Sequence, residues 1–248
     1  MTEREALISL AAFVPFGPVR IKLLREYFGS YRKVWDAKPQ KLRELGLSEK
    51  LTSEFLGFKN DFVFSSYFTR VQKFGLTILT QDDKSYPNLL KEIDNSPTVL
   101  YVHGEIKFAD SVAIAIVGSR KVTSYGREVA YKISCELADA GVTIVSGLAL
   151  GVDGIAHQAA IDVGGRTLAV LGNGLDTIYP PNHRQLAAAI VKNGALISEY
   201  PLGYPAMPYN FPQRNRIVSG ISLGVVVIEG TEKSGTLLTA SHAAAQGR

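Results

Sequence analysis

Cysteine is nearly missing from this 248-residue chain: Cys135 stands alone. That excludes an internal disulfide framework and any zinc site built on several thiolates, and it suits a reducing compartment. Charged residues are sparse at 20%, while hydrophobic residues reach 46%, enough to rule out intrinsic disorder as the dominant state. Long apolar runs are also lacking. VAIAIV from Val112 and GVVVI from Gly224 fall far short of the roughly 18 residues that a membrane span requires. The opening MTEREALIS carries two glutamates where a signal peptide has basic residues, and no small-residue cleavage site follows. A soluble, cytoplasmic protein without a membrane partner is expected. Neither G-x-G-x-x-G nor G-x-x-x-x-G-K-[ST] marks the glycine-rich turns, which argues against a dinucleotide fingerprint or a P-loop NTPase. No metal site and no cofactor are expected.

The residues that are present fall into two regimes. Residues 1–70 hold 12 Lys and Arg against 8 Asp and Glu, whereas the remainder is balanced at 15 of each. The same 70 residues contain 12 of the 23 aromatics, while 17 of the 23 glycines lie beyond residue 110. In the first regime apolar residues recur at three- and four-residue spacing in EREALISLAAF, VRIKLLREYF, PQKLREL and EKLTSEFLGFKNDFVFSSYF. Pro15 and Pro18 punctuate the turn between the first two. A small all-helical domain over residues 1–70 is expected.

Residues 71–248 alternate short apolar runs with amphipathic segments. Strands are predicted at 76–79, 98–102, 112–117, 142–146, 167–171, 195–198 and 224–228. Helices are predicted near 123–140, 152–163, 182–193, 210–220 and 235–246. Unbroken β-branched runs indicate strands buried on both faces, hence a mostly parallel sheet with helices on both sides, the Rossmann-like α/β pattern.

In such sheets ligands sit outside the carboxyl ends of the strands, so the turn after each strand is informative. After the third strand come Gly118, Ser119, Arg120 and Lys121, combining a tight turn, a hydroxyl and cations ahead of a helix start. Gly147 opens the loop after the fourth. Asp153 and His157 follow one helical turn apart, either a helix cap and a satisfied histidine or an acid–base pair. The loop after the fifth strand holds Asn173, Asp176 and His183, the last read as structural. The sixth strand is followed by a proline-rich loop ending in Gln213, Arg214, Asn215 and Arg216, which reads as functional or as a surface salt-bridge cluster. After the seventh, Lys233, Ser234, Gly235 and Thr236 stand at a helix start. Together these turns imply about four to six cations along one sheet edge, a positive groove for phosphate. Tyr125, Tyr209 and Phe211 are candidates for stacking bases, with a core role equally open for Phe211.

The ordered series IVGSRKVTSYG, IVSGLALGVDGIAHQAA, AVLGNGLDTIYPPNH, LISEYPLG, FPQRNRIVSGIS and EGTEKSGTLLTA closely resembles the bacterial DNA-processing protein A family across residues 76–248. FVPFGPVRIKLLREYFGS is similar to a SAM-like or helix-hairpin-helix unit. The resemblance implies a non-enzymatic role: binding and protecting single-stranded DNA in natural transformation and passing it to the RecA recombinase. By motif it assigns DNA contacts to Arg120 and Lys233, with Arg214 and Arg216 in the same kind of region. It also implies a homodimer for the full-length protein and a further strand after Arg248, so the chain reads as cut short at its C-terminal end. An alternative is an enzyme: GSR and EGTEKSGT are loosely similar to Rossmann-like nucleoside-monophosphate phosphoribohydrolases. Those carry a PGGxGT-type loop, whereas Glu232 and Lys233 precede the glycine here.

Overall fold

The computed structural model describes residues 1–230 and 235–248. The amino-terminal part is helical: α1 (Glu3–Ala12), α2 (Gly17–Phe28), α3 (Tyr31–Trp35), α4 (Pro39–Glu44), α5 (Glu49–Asp61) and α6 (Phe64–Lys73). Each start follows from local chemistry. Thr2 and Glu5 form a reciprocal capping box on α1, Ser30 and Ser48 cap α3 and α5, and Gly29 ends α2 in the left-handed conformation. The segment expected as one long helix breaks at Phe62 and Val63, both extended, so that α5 and α6 are separate. The crowded aromatics pack on one another: Phe13, Phe16, Phe55 and Phe58 lie with ring centroids 4.6–5.3 Å apart.

The rest is a seven-stranded sheet. Its strands are β1 (Leu76–Thr80), β2 (Val99–Gly104), β3 (Ala113–Gly118), β4 (Thr143–Ser146), β5 (Thr167–Val170), β6 (Gly194–Ser198) and β7 (Gly224–Ile228). The spatial order is β1-β2-β6-β5-β4-β3-β7. β2 pairs antiparallel with both neighbours, and the pairings from β6 to β7 are parallel. The sheet is therefore Rossmann-like and mostly parallel, with β2 alone reversed. The short α7 (Asn88–Lys91) lies between β1 and β2; α8 (Ser124–Asp139), α9 (Val152–Asp162), α10 (Arg184–Lys192), α11 (Asn210–Ile221) and α12 (Gly235–Ala245) follow. Among the described residues no single helix is long and apolar enough to cross a membrane.

Alternation along the strands sorts side chains to the two faces. Val145, Leu168, Val170 and Ile197 meet Ile217 and Val218 of α11 on one face. On the other, Ile116 and Ile144 meet Ala156 and Ala160 of α9. Ile78, Val99, Tyr101 and Leu196 share a single hydrophobic cluster with Leu7, Leu10, Phe13 and Phe55 of the helical part. The Tyr67 hydroxyl donates to that of Tyr101 at 2.8 Å, and Arg4 pairs with Asp83 at 2.7 Å. The helices before β1 thus form one wall of the sheet's own core.

Candidate nucleic-acid interface

The chain progresses from β3 through β4 and β5 to β6 in one direction, then returns to place β7 on β3's other side. That reversal is the topological switch point, where an open α/β sheet leaves a crevice beyond its carboxyl edge. A cleft of about 660 Å³ lies there, lined by Gly118, Ser119, Arg120, Lys121, Arg214 and Asn215, with Glu229, Gly235 and Thr236 opposite. A second cavity of about 230 Å³ opens beside Tyr86, Phe108 and Asp110, at the amino end of β3, where this rule places no ligand.

The turn after β3 is held from both sides. The Ser119 amide donates to the Ile228 carbonyl, and the Ser119 carbonyl accepts from the Val152 amide, each at 3.2 Å. A Cβ on Gly118 would stand 2.6 Å from Val152 Cγ2, so only glycine lets β3 and α9 approach this closely. The Ser119 hydroxyl accepts from the Lys121 amide at 3.1 Å, which helps to shape the turn. Arg120 and Lys121 are exposed.

Gly147 plays a different part from the one expected. Its amide donates to Asp153 Oδ2 at 3.1 Å, and its carbonyl accepts from Arg214 Nη1 at 2.6 Å. The Ala149 amide also donates to Asp153, at 3.2 Å, and Arg214 reaches the Val170 carbonyl as well. The guanidinium passes where a Cβ on residue 147 would be, which explains the glycine. Asp153 and Arg214 are 7% and 4% exposed. Burial pushes the Asp153 carboxyl up, against Arg214 and the loop amides that favour its charged form. Burial also lowers Arg214 to about 10, with Asp153 opposing and the Arg120 charge adding to the fall. Arg214 therefore ties the loop after β4 to the end of β5 from the cleft floor.

The expected convergence of cations needs correction. Gln213 to Arg216 lie in α11 and not at the end of a loop, so the four side chains radiate round a helix. Arg216 leaves the cleft for Glu199, 2.5 Å away, where both side chains are 12% exposed. Burial raises the Glu199 carboxyl, and Arg216 pulls it back. Asn215 donates to the Gly235 carbonyl at 3.1 Å and joins α11 to α12. Thr236 is buried beside it. Lys233 and Ser234 lie outside the described residues. Of the five cations expected here, Arg120 and Lys121 are the exposed ones among the described residues.

Asp153 and His157 do not pair. His157 Nδ1 lies 2.6 Å from the Thr167 hydroxyl, and burial, then the charges of His183 and Arg214, push its pKa down to about 3. His183 is held at 2.9 Å from the Leu148 carbonyl, the structural role expected of it. Among the described residues no three His, Cys, Asp or Glu side chains gather to hold a metal.

Two contributors escaped the sequence analysis. Glu229 takes the left-handed conformation at φ 55° and turns its carboxylate onto the start of α8, accepting from the Thr123 amide at 2.9 Å and from the Thr123 hydroxyl. Those bonds lower its pKa. A glutamate immediately before a glycine after a buried strand was the available signal. The second is Tyr179, half exposed, whose ring centroid lies 5.4 Å from that of Phe211 on the cleft wall. Tyr125 and Tyr209 are exposed and, like Tyr179, do not themselves line the cleft; Tyr179 differs in packing against Phe211, which does.

Five parallel-paired strands, helices on both faces and a crevice at the switch point define a Rossmann-like α/β domain. Residues 77–248 match the family model described as DNA recombination-mediator protein A, and the chain belongs to that family. It is 42% identical to the protein Smf of Synechocystis over 92% of this chain, and 44% identical to the Smf of Escherichia coli over 84%. These matches span 58% and 55% of the relatives' own lengths. The crystal structure of DNA processing protein A from Streptococcus pneumoniae aligns with a TM-score of 0.84 and 30% identity, covering 100% of this chain and 85% of that one. DNA processing protein A from Helicobacter pylori, studied for its single-stranded-DNA binding mode, aligns at 0.64 with 32% identity over 70% of this chain and 78% of that one.

Proposed function

We propose that the switch-point cleft binds single-stranded DNA through its phosphates, without sequence preference and without chemistry. The observation that carries this is the exposed Arg120–Lys121 pair on a turn fixed at both ends, opening onto an aromatic wall. Cations supply the affinity for a phosphate chain, and π-faces accept any base. A non-enzymatic role is supported by how the acidic groups are used: Asp153 serves two amides and Glu229 serves Thr123, leaving neither carboxylate poised over the cleft. The family and the relatives' names support DNA processing as the setting. Within it, this chain protects incoming single strands during natural transformation in the cytoplasm and delivers them to RecA. The full-length protein does so as a homodimer.

A salt series tests this reading. With Arg214 and Arg216 committed to protein partners, three cations remain (Arg120, Lys121 and Lys233). The slope of log K against log salt for an unstructured oligonucleotide should then be about −2, at −0.7 per phosphate neutralised. A flat profile, tighter binding to duplex, or turnover of nucleoside monophosphates would overturn it.

A further inference from the structure

Beside the cation-bearing turn the cleft's aromatic wall is one ring, Phe211, with a second ring packed against it. Phe211 stands in the first turn of α11 and lines the cleft. Its ring rests on the loop after β5: a Cβ on Gly172 would stand 3.1 Å from Phe211 Cδ1, so the glycine makes room for it. On Phe211's other flank is Tyr179, inclined by 32° and 48% exposed. Residues 171 to 180 leave β5 at the same carboxyl edge as the turn carrying Arg120, two strands away across β4. Phe211 lines the same cleft as Arg120 and Lys121, and its ring centroid is 5.4 Å from that of Tyr179, so the two rings form one ledge at the cleft's side. Among the described residues the Tyr179 hydroxyl has no hydrogen-bond partner, and about half of the side chain is open to solvent.

We infer that Tyr179, backed by Phe211, is a stacking platform for one unpaired base of the strand whose phosphates Arg120 and Lys121 hold. This deepens the proposed function and rests on it. Continuity with the cation cleft selects the occupant. A strand anchored by its phosphates on the turn lies in the cleft that Phe211 lines, next to the Tyr179 ring, and an aromatic face takes any of the four bases. The strand then runs from the β3–β7 crevice across β4 towards β5, and not over the exposed Tyr125 at the start of α8. Tyr179 is a positioning and affinity residue here, and no chemistry is assigned to it.

The test compares Tyr179→Leu and Tyr179→Phe with the parent chain, each checked for an unchanged melting temperature. The ligands are a deoxyoligonucleotide and an abasic oligonucleotide of equal length. The deoxyoligonucleotide should bind Tyr179→Leu roughly ten-fold more weakly, the loss expected for one stacked base, and Tyr179→Phe as it binds the parent. The abasic strand should bind all three alike, and the salt slope should not change. A 2-aminopurine in the strand should be quenched on binding the parent and Tyr179→Phe but not Tyr179→Leu. Equal affinity of parent and Tyr179→Leu for the base-bearing strand overturns the ledge and leaves the phosphate site standing. An equal loss with the abasic strand overturns it too. If neither strand binds the parent, the ledge and the proposed function fail together.

Discussion

Replacing Arg214 by methionine separates a structural cation from a ligand-binding one. The substitution keeps most of the side-chain volume and removes the donors that serve the Gly147 and Val170 carbonyls. It also removes the positive charge that favours the ionised form of the buried Asp153. Leaving the two buried carbonyl acceptors without their donor costs about 1–3 kcal/mol each. Against a domain stability of about 5–15 kcal/mol that loss is large, and it should appear as a lower urea midpoint with little change in slope. The pH dependence carries a second signature. With Arg214 gone, burial acts on Asp153 almost unopposed, so its folded pKa rises further above the unfolded value. The native state then binds the proton more readily, and stability falls as pH rises through that interval. The variant should therefore suffer least at the acid end, and adding Asp153→Asn should recover part of the loss at neutral pH. Binding is measured per folded molecule, by titrating a labelled oligonucleotide well below the urea midpoint. An Arg214→Met chain as stable as the parent within about 0.5 kcal/mol, yet defective in binding, would refute the structural assignment.

The other expectations are briefer. Arg120→Ala should leave stability within about 0.5 kcal/mol and flatten the salt slope by about 0.7, whereas Lys192→Ala, exposed at the opposite strand ends, should change neither; equal losses from both would displace the site. His157, fully buried with its pKa near 3, charges on unfolding at about pH 6.5, so the parent should lose about 2 kcal/mol more stability than His157→Gln between pH 8 and pH 5. Urea titrations at the two pH values measure that difference, and parallel behaviour of the two chains would exclude it. Removing residues 1–73 uncovers Ile78, Val99, Tyr101 and Leu196, each worth about 1.5–3 kcal/mol when buried, so the remainder should lose its cooperative thermal transition. A sharp calorimetric transition in that fragment would contradict the shared core.

Much of the architecture was legible because short β-branched and apolar runs announce strands. The seven predicted runs fall within a residue or two of the observed strands, and the five predicted helices of the second regime appear as α8 to α12. The reversed direction of β2 was not legible, since TVLYV is equally apolar whichever way it runs. Nor was the break between α5 and α6: Phe62, Val63 and Phe64 preserve the apolar rhythm across an extended corner. Five-residue α3 is too short to show a period. At the site, composition revealed which residues are cationic but not which are already engaged. Arg214 and Arg216 are two residues apart on a helix, hence about 200° apart around its axis. Their partners, the Gly147 and Val170 carbonyls for the one and Glu199 for the other, come from segments that only the folded sheet brings near.

The double grip on Gly147 has a kinetic consequence. A loop whose amide and carbonyl are both held by buried groups cannot relax far when a ligand arrives, and the neighbouring turn at Ser119 is tied at both ends as well. Under the proposed function these two segments keep their shape through encounter, and the protein loses little conformational freedom there on binding. The proposed association with a single strand should then be set by diffusion and by the field of Arg120 and Lys121. Changes on the cleft wall alter residence time and not arrival.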